Sequence, residues 1–277
     1  MQQKISELFN QINNIPRIPE IVKTLISHTN NPNVEFDDIA KDVEKEQVIS
    51  MKVLRLVNSA HFGLSRKIGS INQALVLLGI SELRKLVITS GIVESVPHIP
   101  SLDINEFWLD SFRTATYAKW LADESKLDNS DMIYTAGLIH QLGTILIHLG
   151  NHDAANDIDE AIYQGNSQAN SERQRLGFTS NQACAELCRQ WQFPEELAST
   201  VEKAAEPTYF ETLSLSACAV FIANYISKAG FEDLDNESII TDFPMKEWQL
   251  LGFTEEQITN KLTKILDLDT GIEGLLD

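Results

Sequence analysis

Apolar residues recur at three- and four-residue intervals along nearly the whole chain, and no convincing stretch alternates apolar with polar residues over the length of a strand. A helix brings positions i, i+3, i+4 and i+7 onto one face, whereas a half-buried strand needs a period of two. The pattern therefore predicts an all-α fold. IPEIVKTLISHT places Ile21, Val22, Leu25 and Ile26 on one stripe, with Pro19 suited to a first turn where its missing N–H is no loss. FDDIAKDVEKEQVI turns Ile39, Val43 and Val48 inward, and MKVLRLVNSAHFG is apolar at Met51, Leu54, Val57 and Ala60 before ending at Gly63. INQALVLLG stops at Gly79, after which the Ser81 hydroxyl caps ELRKLVITSGIV. Strongly apolar helices follow in EFWLDSFRTATYAKWLADES and MIYTAGLIHQLGTILIHLG, whereas NHDAANDIDEAIYQGNSQANSE reads as partly helical at most. NQACAELCRQWQF stops before Pro194, LSLSACAVFIANYISKAG closes at Gly230, and Thr254 with Gln257 forms a capping box for EEQITNKLTKIL.

The two prolines of VPHIPSLD (96–103) interrupt this pattern and give the best boundary. We expect two adjoining helical lobes, 1–97 and 98–230, with an acidic helical extension, 231–277, packed on the second. Hydrophobic residues make up 43% of the 277, enough to bury a core. The net charge of −18 argues against nucleic acid as a partner, because phosphate contacts need cations. That charge is uneven. Residues 230–277 hold twelve acids against three lysines, whereas residues 48–93 hold Lys52, Arg55, Arg66, Lys67, Arg84 and Lys85 against Glu82 alone. The polar N-terminus and the lack of an apolar run of about 20 residues lead us to expect a cytoplasmic protein with no membrane contact.

Several chemistries lack their residues. LGISEL (78–83) has neither the glycine density nor the lysine of a phosphate-binding loop, and no Gly-x-Ser-x-Gly elbow occurs. The Asp110–Ser111 pair has no histidine nearby in sequence. Cys184, Cys188 and Cys218 lack zinc spacing and read as buried thiols. Trp108, Trp120, Trp191 and Trp248 are too dispersed for a stacking platform and read as core anchors.

The run IPRIPEIV, VLRLVNSAHFG and IGSINQALVLLGISELRKLVI, continued by FWLDSFRTATYAKWLA, TAGLIHQLG and GFTSNQACAELCRQWQFP, resembles the HDOD family of bacterial signalling modules over about residues 7–205. That family is related to HD-type metal phosphohydrolases, so the resemblance implies a degenerate HD-like bundle in the second lobe. It also assigns the metal-site positions. Ser111 stands where the hydrolases place a first histidine ligand, and His140–Gln141 stands for their His-Asp pair. Thr144 replaces a frequent lysine, Ser180 a later histidine, Ala204 and Ala205 a histidine pair, and Asn224 the final aspartate. Of these ligands only His140 remains. A divalent cation that activates water needs several anionic or imidazole ligands, and neutral Ser, Gln and Asn side chains do not offset its lost hydration. His148 and His152 are separated by a helix break at Gly150–Asn151, and His28, His61 and His98 fall in the other lobe or at the boundary. We therefore expect no catalytic residue, no bound metal and no cofactor. His140 should be a buried neutral imidazole bonded to Gln141, Ser111 or Asn224.

In NSAHFG, Asn58 and Ser59 are suited to bond nearby backbone. Arg55, His61 and Arg66, joined by Arg84 and Lys85, would form a surface for an acidic peptide or a phosphate. The expected function is a non-catalytic signal-transduction or scaffold module. It would act through an unidentified signalling protein or a nucleotide second messenger. The alternative is a divergent metal-dependent phosphohydrolase acting on a nucleotide or cyclic dinucleotide.

Overall fold

The structure is a computed structural model that describes residues 4–27, 36–231, 236–271 and 273–276, and every regular element among them is helical. His28 and the Ile39 side chain lie outside the described residues. The chain divides into two compact units. The larger holds residues 1–15 and 98–268, and the smaller holds residues 16–97 and 269–277. Two stretches thus fall differently from the sequence expectation. The first helix, α1 (Ile5–Gln11), belongs with the second half of the chain, and the acidic extension is shared between the units.

The smaller unit is built from α2 (Glu20–Ser27), α3 (Phe36–Lys45), α4 (Gln47–Val57) and α5 (Ile71–Ser95), with α5 packed against the other three. Gly91 makes that packing close: a Cβ there would lie 2.3 Å from Val22 Cγ2 and 3.3 Å from Ile49 Cδ1. Ser70 caps α5 by accepting from the Gln73 N–H at 3.2 Å, and the helix is interrupted at Gly79, whose φ of 78° and ψ of 170° suit only glycine. The buried face of α4 is Ile49, Val53, Leu56 and Val57. Val48 and Met51, expected inside, are 47% and 66% exposed. Asn58 fixes the turn that follows. Its amide donates to the carbonyls of Leu54 and Ile68 at 2.7 and 2.8 Å and accepts from the Ile68 N–H at 2.7 Å.

The larger unit centres on α6 (Ile104–Glu124), which packs most extensively on α7 (Ser130–Ile139) and α13 (Leu215–Phe231). Asp103 starts α6 by accepting from the N–H groups of Asn105 and Glu106, both at 3.0 Å. Around this core lie α8 (Leu142–Gly150), α9 (His152–Tyr163), α10 (Gln168–Arg175), α11 (Ser180–Gln190) and α12 (Glu195–Lys203). The interval read as partly helical is thus mostly helix, and α9 buries Ala154, Ala155 and Ile158. The helices α14 (Asn236–Thr241), α15 (Met245–Leu250) and α16 (Ile258–Leu266) complete the unit. Trp108, Trp191 and Trp248 are buried, and Trp120 is half-buried beneath the Lys261 ammonium. The three cysteines are buried free thiols, and Cys184 Sγ donates to the Ile139 carbonyl at 3.0 Å. Contrary to the sequence reading, residues 130–150 are long and apolar enough to cross a membrane by length and composition, but most of that stretch is buried inside the unit.

Candidate functional site

Two glycines bracket His140. A Cβ on Gly137 would lie 2.8 Å from the Ala115 Cα, and one on Gly143 would lie 1.8 Å from the Ser180 carbonyl oxygen. The GLIHQLG segment (137–143) can therefore press against α6 on one side and the start of α11 on the other. Thr179 begins α11 with a capping box, accepting from the Gln182 N–H while the Gln182 side chain accepts from the Thr179 N–H. The two close approaches hold the turn between α7 and α8, and His140 with it, in the interior.

His140 is 5% exposed. Its Nδ1 lies 2.6 Å from the Gly137 carbonyl oxygen. A carbonyl only accepts, so Nδ1 carries the hydrogen and Nε2 presents its lone pair. That Nε2 is buried without a hydrogen-bond partner, as are Asn224 Oδ1 and Ser111 Oγ. The Nδ1 bond goes to Gly137 rather than to Gln141 or Ser111, while the Asn224 side chain lies close enough to act on the ring. Burial pushes the His140 pKa down, against the opposing pull of the Asp110 carboxylate, so the neutral form is favoured.

Asp110, one residue before Ser111, accepts from the Gln141 amide and, at 2.5 Å, from the Ser227 hydroxyl. Glu172 is 2% exposed and accepts from the Ser180 N–H at 2.7 Å and the Gln168 amide at 2.9 Å. Burial raises its pKa, and these donors work in the opposite direction. Seven of the eight positions assigned by the resemblance, namely His140, Gln141, Thr144, Ser180, Ala204, Ala205 and Asn224, line one cavity of about 190 Å³; Ser111 is buried on α6. Gln141, Thr144, Gln168, Glu172 and Lys228 are shared with the wall of a second, more open cavity of about 420 Å³. This cavity adds Asp103, Glu106, Asp159 and His148. His148 Nε2 lies 3.5 Å from an Asp159 carboxylate oxygen, and its Nδ1 lies 3.2 Å from the Ser101 hydroxyl. Burial lowers its pKa, partly offset by Asp159.

These residues do not fit a divalent cation of the HD type. The positions around His140 carry neutral side chains, and Asp110 is committed to an amide and a hydroxyl. Among the described residues no group of three or more His, Cys, Asp or Glu side chains is placed to hold a metal ion. The sequence reading missed Asp110, Glu172 and Lys228. Asp110 and Lys228 were signalled only as ionisable residues inside otherwise apolar or small-residue helical stretches, and Glu172, within the polar QANSERQR, had no such signal.

The basic stretch of the smaller unit is largely engaged within that unit. Arg55 donates to the Gly274 carbonyl at 3.1 Å, and His61 Nδ1 meets the Asp269 carboxylate at 2.9 Å. The Asp269 pKa is held down by the Gly271 N–H, with His61 adding to it. Lys85 pairs with Glu82 and Lys52 with Glu94, each at 2.6 Å. Ser59 and Arg84 are half-buried, and Asn58 serves the turn, while Arg66 and Lys67 are exposed. The candidate partner residues Arg55 and His61 are thus met by residues 269–276 of the same chain.

The HDOD domain model matches residues 15–207. A protein of Shewanella amazonensis, provisionally named a phosphohydrolase, superposes with a TM-score of 0.78 at 26% identity, covering 98% of this chain and 97% of its own. A protein of Marinobacter aquaeolei, provisionally named a signal transduction protein, superposes with a TM-score of 0.80 at 18% identity, covering 100% of this chain and 62% of its own. Among curated proteins, an uncharacterised protein of Treponema pallidum is 23% identical over 201 residues, which span 71% of this chain and 38% of that relative.

Proposed function

Because the chain belongs to the HDOD family, we propose that it is a non-catalytic signal-transduction module whose HD-type metal centre has been replaced by a hydrogen-bonded network of mostly neutral side chains around Asp110. The observation that carries this reading is the pairing of Asp110 with Gln141 and Ser227 beside a His140 whose Nδ1 is tied to Gly137. A metal-activated hydroxide needs an open cation held by several charged or imidazole ligands, and the donors here are mostly amides and hydroxyls. Resemblance to the Marinobacter aquaeolei protein by name supports a signalling role. Output runs through a protein partner. On α4, Val48, Met51 and Arg55 lie at i, i+3 and i+7, and Val76 and Leu77 are exposed on the first half of α5. Where such exposed apolar side chains form a contiguous patch, they mark an interaction surface.

Metal analysis of protein purified without chelator, together with turnover of bis(p-nitrophenyl) phosphate in added Mn²⁺, tests the reading. We expect substoichiometric metal and no turnover above the buffer rate. Stoichiometric iron, manganese, zinc or magnesium with metal-dependent turnover would establish the phosphohydrolase instead, in keeping with the name of the Shewanella amazonensis protein.

A further inference from the structure

We propose that the paired cavities of the larger unit bind a small organic cation, an alkylammonium with an apolar body, rather than a nucleotide. The inference rests on the non-catalytic reading, since it places the ligand where the metal centre of an HD hydrolase would be. Asp103, Glu106, Asp110, Asp159 and Glu172 line the 420 Å³ cavity, and Lys228 is the lysine or arginine that faces them. A phosphate brought into that field meets like charge on most sides, whereas a monocation meets opposite charge. Phe107, Ile147, Ile158 and Ile162 supply apolar wall for a hydrocarbon stem.

The hydrogen-bonding polarity of the inner chamber points the same way independently. His140 is 95% buried by its 5% exposure, lines the chamber, and has its Nε2 lone pair unpartnered because Nδ1 holds the proton against Gly137. Asn224 Oδ1, a second buried acceptor on the same wall, also lacks a donor. Buried acceptors without donors are costly, and the group that relieves them must bring N–H or O–H. An ammonium brings three N–H donors and no acceptor, whereas a nucleotide has donors only on its base and ribose and must carry its anionic phosphate into the acidic cavity with them. Glu172 borders both chambers, so a cation held there would face a buried carboxylate and the two orphaned acceptors together.

The test is calorimetric titration of the full chain with n-hexylammonium chloride, run beside n-hexanol, guanosine monophosphate and manganese chloride. We expect saturable binding of hexylammonium, at least tenfold tighter than hexanol, with no saturable binding of the nucleotide. Glu106 and Asp159 are exposed at the cavity wall, so Glu106→Gln with Asp159→Asn leaves the core intact, as circular dichroism will verify. That variant should bind hexylammonium at least fivefold more weakly. Equal binding of hexanol, preferential binding of the nucleotide or manganese, no binding of hexylammonium, or unchanged affinity in the variant overturns the proposal. Loss of amine binding without metal-dependent turnover leaves the signalling reading standing, whereas turnover removes both.

Discussion

Gly143 sits where a single added carbon has nowhere to go. The Ser180 carbonyl is backbone, fixed by the capping box at Thr179, so the 1.8 Å approach of a Cβ cannot be relieved by a side-chain rotation. Gly143→Ala should destabilise by about 3 kcal/mol, the upper range for overpacking, read as a fall in Tm. Gly165→Ala is the control: it has positive φ but open space, and should cost only about 1 kcal/mol. A smaller effect at Gly143 than at Gly165 would mean that α8 does not seat against α11 as described. At this scale the sequence spoke unevenly. His140 and the neutral residues around it could be placed by the resemblance, because they lie in or just beyond helices that the sequence marks clearly. Asp110 and Glu172 could not, since an acid on a helix looks the same in sequence whether it faces water or a cavity. The proton on His140 Nδ1 was also hidden, because its partner is a backbone carbonyl that carries no side-chain signature.

The buried face of a helix was legible wherever one apolar stripe dominated and was misread where two competed. On α4 both Val48–Met51 and Ile49–Val53–Leu56 have helical spacing, and the choice between them depends on what α5 offers. On α9 the buried stripe is two alanines and one isoleucine in an acidic background, too weak a contrast to declare itself without α8 and α10 beside it. The break at Gly79 was readable, because glycine followed by Ile-Ser-Glu is an ordinary end and restart. Its backbone, with φ 78° and ψ 170°, is a conformation that a Cβ opposes. Gly79→Ala should therefore cost about 1–3 kcal/mol, with amide exchange rising first in residues 71–78; Gly69→Ala, where φ is not positive and space is open, should be near neutral. Equal costs at the two positions would show that the interruption is dispensable.

Across the whole molecule the chain passes between its two units three times, after residues 15, 97 and 268. The periodicity of the sequence gave no hint of the last passage, because the residues that follow it form no long helix and are recognised by contacts more than two hundred positions away. Those contacts are specific. Leu275 is 2% exposed, Gly271 lies against the His61 ring where a Cβ would come within 2.4 Å of Nε2, and Arg55 holds the Gly274 carbonyl. Leu275→Ala should lower stability by about 2–3 kcal/mol and speed hydrogen exchange in α4 more than in α6. If α4 and α6 respond alike, the tail does not belong to the smaller unit in the energetic sense. A ribosome would deliver α2 to α5 early and residues 269–276 some two hundred residues later, by which time the larger unit has been made. In order of synthesis α2 to α5 therefore precede the residues that complete their unit, and until those follow, Arg55 and His61 lack the carbonyl and the carboxylate that hold them.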